Sequence, residues 1–498
     1  MEDLPAFRHD GAHAGGDMPK EEWRRHAHAL VDWIATYLAE AERYPIRPEV
    51  VPGFLTAAMP AALPEEGEPF EQLWDAFQRV VLPGTVHWNH PGFLAYFAIT
   101  GSGPGILGEL LTAALNVNAM LWHTGPAATE LEFLVTGWLR DALGLPASWL
   151  GVLQDTASVG LLTALAAARH RADPAVRTRG LVGGPRLRLY ASTEAHSSVD
   201  KAAILLGLGQ DAVRRLPTDD AFRLNVAALR RALAEDRAAG WYPFAVVATV
   251  GTTSTAAVDP VADIAAVCRT NNLWLHVDAA YGGAVRLSAR EARRVPDLER
   301  ADSVTIDPHK WFFQAYDIGA LVVRRREDLQ RTFHRMPEYY RHPRPEDAPL
   351  NWFEYSMEGT RRFRALKLWT SWKHLGTRGL ADLVERNLAL TAYLVRRCRE
   401  LPGFELMPPE PELSVVCFRH VPEGLDPERL DAYQDRLQIA LEASERAWVS
   451  TTKLRGRTYL RAGIVNYLSS EVDVDRMLET LLELSPRVRA ELGSDYST

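Results

Sequence analysis

Short apolar runs alternate with stretches of helical period through the middle of the chain. The runs Arg188–Ser192, Phe244–Val250, Leu273–Asp278, Ser303–Ile306 and Ala320–Val323 predict buried strands. Between them, apolar positions three and four apart predict helices over Val199–Leu206, Asn225–Ala239 and Val261–Arg269. Ahead of them, GVLQDTASVGLLTALAAARHRA reads as a strand end running into a helix. Such alternation predicts an α/β domain on a mainly parallel sheet flanked by helices, with ligands gathering at the carboxyl ends of the strands.

The pattern changes on either side of this block. Residues 1–18 are polar and rich in Gly and His, the composition of a loose tail. From Lys20 to Glu42, Trp23, Ala27, Leu30, Ile34, Leu38 and Ala41 form one helical stripe bounded by Pro19 and Pro45. PGTVHWNHPGFLAYFAITGSGPG sets Trp88, Phe93, Tyr96 and Phe97 among turn residues, not at helical spacing, which points to a pocket wall. Gln330–Asn351 is charged, proline-rich and aperiodic, and a loop of that length in a compact enzyme reads as a lid or a disordered stretch. A long helix beginning in GTRRFRALKLWTSWKHLG leads to the helix Leu380–Glu400, the strand Leu413–Arg419, a helix near Asp431–Ala443 and the strand Tyr459–Ile464. The expected organisation is a helical segment over 1–85, a large domain over 86–376 and a small α/β domain over 377–498.

With 498 residues, 47% of them hydrophobic, the chain can bury a large core. Its net charge of −8 is spread along the sequence without a basic stripe, which argues against a nucleic-acid partner. Cys268, Cys398 and Cys417 are odd in number and widely spaced, so a reducing, cytoplasmic setting is expected. No run approaches the roughly 20 apolar residues of a membrane span, and no metal-ligand cluster stands out.

The chemistry sits where strands end. Leu273–Asp278 finishes in Asp278, and Ser303–Ile306 is followed by Asp307, His309 and Lys310. A lysine between apolar neighbours is costly to keep charged, and the free amine is a nucleophile for an aldehyde. The aldehyde that proteins most often hold this way is pyridoxal 5'-phosphate, which also needs a carboxylate beside its ring nitrogen, and Asp278 is the candidate. Thr156, Ala157 and Ser158 open the helix after the first strand, where free N–H groups, two hydroxyls and the helix dipole favour an anion; simple capping by Thr156 or Ser158 is the alternative. His196 and Thr253 follow other strands to the same edge.

HVDAAYGG, DPHKW, AHSSVDKA and HPGFLAYF together resemble the pyridoxal-phosphate-dependent group II amino-acid decarboxylases, most closely the aromatic-L-amino-acid decarboxylases, in order from about Trp23 to about Arg461. The resemblance implies the aspartate-aminotransferase-like type I fold and a homodimer, with the N-terminal segment over the neighbouring subunit and the active site at the interface. It implies that Lys310 tethers the cofactor and Asp278 holds the ring nitrogen. His196 would stack on the ring, Thr253 and Ala280 would touch it, and His276 would lie nearby. Thr156, Ala157, Ser158, Asp307 and His309 would surround the phosphate. Trp88, Tyr96, Phe97, Met120 and Thr360 would shape the substrate pocket. Tyr339, with Tyr340 as the alternative, would be the loop acid that protonates Cα. Three departures stand out: Asp307 replaces the usual asparagine, Thr360 replaces a small residue, and Ile99, Asn118 and Met120 differ from the aromatic-specific pattern. The implied function is decarboxylation of an L-amino acid, aromatic by preference, to the amine and carbon dioxide. A non-aromatic decarboxylase, an aldehyde synthase on the same scaffold and a cofactor-binding protein without turnover are the alternatives.

Overall fold

A computed structural model of the chain describes residues 17–335 and 350–494. Seven strands make the main sheet: β1 Leu150–Gln154, β2 Leu187–Ser192, β3 Val213–Leu216, β4 Tyr242–Thr249, β5 Trp274–Asp278, β6 Ser303–Ile306 and β7 Gly319–Val323. Their spatial order is β1-β7-β6-β5-β4-β2-β3. Pairing is parallel from β3 through β6, and β7 runs antiparallel between β6 and β1. Because β7 reverses direction twice over, β1 ends at the same edge as β2, β4, β5 and β6. Five strands thus deliver their following loops to one edge of the sheet.

β5 and β6 are apolar because helices cover both faces of the sheet, so no position along them except the last meets solvent. Helix Ala157–Ala172 lies against β4 to β7 and is held close by Gly160, where an added Cβ would come within 2.8 Å of Thr305. Gly319, the first residue of β7, is tighter still: a Cβ there would lie 2.5 Å from the carbonyl carbon of Thr156. The turn that starts the helix is therefore pressed onto the sheet edge.

A second sheet of four antiparallel strands, β8 Phe404–Leu406, β9 Val415–His420, β10 Ser450–Leu454 and β11 Arg457–Gly463, has the order β10-β11-β9-β8. Helices Leu430–Ala443 and Glu471–Ser494 cover it. The long helix Ala365–Glu400 reaches it from the main body and kinks at Gly376, where φ 68° and ψ 167° leave the helical region.

The predicted strands and helices are present within a few residues of their expected ends. The predicted helix over Lys20–Glu42 stops at Ala39, and a separate turn follows over Ala41–Arg43. Its apolar stripe is covered only in part: Trp23 is 57% exposed, while Ala27, Leu30, Ile34 and Leu38 are half-buried and Ala41 is buried. β3, β8, β10 and the helix Glu471–Ser494 are additional elements. No helix among the described residues is long and apolar enough to cross a membrane.

One buried ion pair ties the main sheet to the segment before the long helix. Arg361 and Glu132 meet through two contacts, 2.8 and 3.0 Å, while Arg361 also donates to the Leu153 carbonyl at 2.6 Å and Glu132 accepts the Leu153 N–H at 3.0 Å. Removing one partner strands a charge in the interior. Glu132→Ala is expected to lower stability by about 3–5 kcal/mol in denaturant unfolding, and pairing Glu132→Leu with Arg361→Met to recover much of that loss.

Candidate active site

The shared edge opens into a cleft of about 240 Å³. Its lining includes Asp278 and Ala280 after β5, Asp307 and Lys310 after β6, His196 after β2, Gly251 and Thr253 after β4, and Ala157 and Ser158 after β1. Trp88, Tyr96, Phe97 and Ile99 supply an aromatic and apolar wall. The structure therefore brings together most of the residues that the sequence placed on separate strand ends.

Asp278 accepts the Ala280 N–H at 3.1 Å. Burial raises its carboxyl above the ordinary carboxylate range, against the opposing pull of Lys310, the Ala280 N–H and His196. Among the described residues, no lysine or arginine forms an ion pair with this buried carboxylate. His196 accepts the Ser198 N–H on Nδ1 at 3.2 Å, with the Ser198 hydroxyl 2.9 Å away, so the proton of the neutral ring belongs on Nε2. Burial lowers its pKa. Lys310 is not enclosed by apolar groups alone as expected from the sequence: Nζ lies 3.2 Å from Asp307 Oδ2 and 5.6 Å from the centre of the Phe97 ring. Asp307 also accepts the Ala157 N–H on Oδ1 at 2.6 Å.

Five expected site residues stand away from the cleft lining. Thr156 caps its helix, its hydroxyl 3.5 Å from the Val159 N–H, and so takes the capping alternative. His309 is buried behind Asp307, with Nε2 3.5 Å from Oδ2 and Nδ1 accepting the Ile318 N–H at 3.4 Å. His276 lies inside the sheet, its ring nitrogens 2.8 Å from the Ser303 hydroxyl and 3.2 Å from that of Thr305. Met120 and Thr360 lie outside the cleft of this chain. Asn118 links the two segments, its side-chain oxygen accepting the N–H groups of Met120 and of Arg361, the residue after Thr360. Tyr339 and Tyr340 fall outside the described residues.

The cleft also holds residues that the sequence reading passed over. Tyr316 lines it beside Asp307. Tyr281 stacks on Trp311 with ring centroids 4.9 Å apart and touches Phe97 at 4.4 Å. Behind Phe97 lies Arg461, buried, its guanidinium 4.8 Å from the ring centre. Arg461 donates to the carbonyls of Thr253 and Tyr96 at 2.9 and 2.8 Å, and its Nη2 has no partner among the described residues. A lone arginine inside the apolar run YLRAGIV was the available signal.

A lysine amine, a buried carboxylate short of a cation and an imidazole around one aromatic cleft define the site of a pyridoxal phosphate enzyme. The chain belongs to the pyridoxal-dependent decarboxylases, whose conserved-domain model matches residues 52–421, and it is a pyridoxal-phosphate-dependent amino-acid decarboxylase. It is 35% identical to aromatic-L-amino-acid decarboxylase of Rattus norvegicus over 81% of this chain and 86% of that one. It is 32% identical to phenylacetaldehyde synthase of Arabidopsis thaliana, over 94% and 96%. Among solved structures, Oryza sativa TDC with PLP and tryptamine superposes with a TM-score of 0.90 at 32% identity, covering 95% of this chain and all of that one. The residues fit the cofactor: a protonated ring nitrogen is the cation that Asp278 lacks, and Lys310 is an amine in the same cleft.

Two outcomes follow from this geometry. Lys310→Ala is expected to abolish the visible absorption of the cofactor-loaded protein while leaving its circular dichroism unchanged. Burial pushes His276 down to about 3 from the usual 6.5, so the folded chain refuses a proton that the unfolded chain accepts. Its contribution to stability is intact above pH 6.5 and is lost as pH falls toward 3. Replacing His276 with Gln should therefore flatten the acid side of the stability profile by up to about one proton, measured by urea unfolding between about pH 4 and 6.

Proposed function

We propose that the protein decarboxylates an aromatic L-amino acid of the tyrosine, DOPA, phenylalanine or tryptophan class, releasing the amine and carbon dioxide. The observation that carries this reading is the sharing of one small cleft by Lys310, Asp278 and the wall of Trp88, Tyr96, Phe97 and Ile99. The named activities of the relatives point the same way. When bound, pyridoxal phosphate supplies a ring that accepts the electron pair left behind as carbon dioxide departs. Lys310 supplies the amine that holds the cofactor, and Asp278 keeps the ring nitrogen protonated by pairing with it in a place poor in water. His196, fixed through Nδ1 by Ser198, presents its ring to the cleft as a stacking surface. The aromatic wall holds the substrate side chain and excludes water. Arg461 places a positive charge just behind that wall, which favours entry of a carboxylate.

We assign the acid that returns a proton to Cα to Tyr339, on the resemblance alone. The active form is proposed to be a homodimer. Helix Gly103–Leu115 exposes Leu107, Leu110, Leu111 and Leu115, an apolar face that a partner would cover, and Trp23 is likewise exposed. Met120 and Thr360, remote from their own cleft, are then available to the partner's. The large and small domains are proposed to divide near the kink at Gly376. Three free, buried cysteines suit a cytoplasmic setting.

An aldehyde synthase is the competing reading, since one relative carries that activity. His196 and Tyr339 favour the amine. Incubating the enzyme with all common amino acids and DOPA should give an aromatic amine without hydrogen peroxide, identified by mass. Tyr339→Phe should divert product to the aldehyde with peroxide release; an unchanged amine yield would remove Tyr339 from the mechanism.

A further inference from the structure

The start of helix Ala157–Ala172 is already occupied by an anion of the chain's own. Asp307 is 3% exposed, and both of its oxygens are engaged: Oδ1 by the Ala157 N–H at 2.6 Å, and Oδ2 by Lys310 Nζ at 3.2 Å with His309 Nε2 at 3.5 Å. Tyr316 rests on His309 with ring centroids 4.6 Å apart, and burial together with the Asp307 charge raises its phenol pKa. The features of this corner that attract a negative group are thus committed to one carboxylate: a helix N–H, the positive end of the helix dipole and the lysine ammonium.

Loading the cofactor undoes that arrangement from two sides. With its nitrogen committed to the aldehyde carbon, and water lost in the condensation, Lys310 would no longer offer Asp307 the same free ammonium. A phosphate seated at the same helix start would bring a like charge toward that carboxylate. An asparagine at this position could accept the Ala157 N–H equally well and carry no charge into the encounter. The difference between the two side chains is therefore felt by Lys310 and, with like charge against like, most strongly by the phosphate.

We propose that Asp307 is a competitor built into the cofactor site: it holds the helix start and Lys310 in the cofactor-free chain, must yield to the phosphate, and so sets how tightly pyridoxal phosphate is retained. The inference rests on the cofactor reading above. Its consequence is an enzyme whose output follows the supply of the vitamin, loading when the cofactor is plentiful and emptying when it is scarce.

Equilibrium binding to cofactor-free protein tests this, with pyridoxal phosphate, phosphate-free pyridoxal and inorganic phosphate as separate probes. Asp307→Asn should bind pyridoxal phosphate at least about tenfold tighter than the wild type, and show a clearly smaller gain for pyridoxal, which releases the Lys310 contact but brings no phosphate. Inorganic phosphate should raise the melting temperature of Asp307→Asn and leave that of the wild type unchanged. Should Asp307→Asn lack a cooperative melt, Asp307→Ser decides by the same comparisons. Equal pyridoxal phosphate affinity in the wild type and a folded variant would overturn the competitor role alone. A wild type that binds neither pyridoxal phosphate nor pyridoxal would overturn the cofactor reading with it.

Discussion

Everything at the site depends on keeping a carboxylate in a place where water cannot serve it. Asp278 ends a strand at the centre of the sheet, beside β4 and β6, and burial raises its pKa. Lys310, a single backbone N–H and the His196 ring offset that cost only in part. The consequence is a site that is electrostatically incomplete by itself and favours a ligand carrying a positive charge at one point. A pyridine nitrogen answers that need, and an aldehyde on the same ring answers the amine of Lys310.

The sheet makes this possible through direction and not through any one side chain. β1, β2, β4, β5 and β6 all end at one edge, so residues far apart in sequence meet without a long loop between them. β7, the antiparallel strand, brings Gly319 to the same edge and lets the helix beginning at Ala157 sit directly on it. The small sheet takes part as well. Arg461, on β11, holds the carbonyls of Tyr96 and Thr253, and Gly463 leaves room for the Tyr96 carbonyl, where a Cβ would come within 2.4 Å. Tyr96 adopts a positive φ of 51° under these constraints, so the aromatic wall is held by the part of the molecule farthest from it in sequence.

The central strands and the helices between them were legible because burial on both faces leaves an unbroken apolar run. So were Lys310, Asp278 and His196, polar groups at the ends of such runs. β3 and β10 escaped because VRRL and STTKL are edge strands, whose side chains pair with solvent and neighbouring acids instead of a core. The side-chain directions of Thr156, His276 and His309 were not legible for one reason: sequence places a residue beside a motif but does not say which way its side chain turns. Thr156 turns into its helix, His276 into the sheet and His309 behind Asp307. The Asp307 departure was visible, yet its engagement by Ala157 N–H depends on a contact across 150 residues.

The same limits separate what this fold does from what it prefers. Geometry within one chain brings the cofactor's amine and acid into one cleft with the aromatic and apolar wall of Trp88, Tyr96, Phe97 and Ile99. The claim on which all else rests is that one particular amine holds the cofactor above one particular acid. Reducing the pyridoxal-phosphate-loaded protein with borohydride fixes the cofactor to whichever lysine carries it, and peptide mass mapping then locates the added mass. The pyridoxyl group is expected on Lys310; finding it on Lys367, a fully buried lysine, or on no lysine at all, would contradict the account.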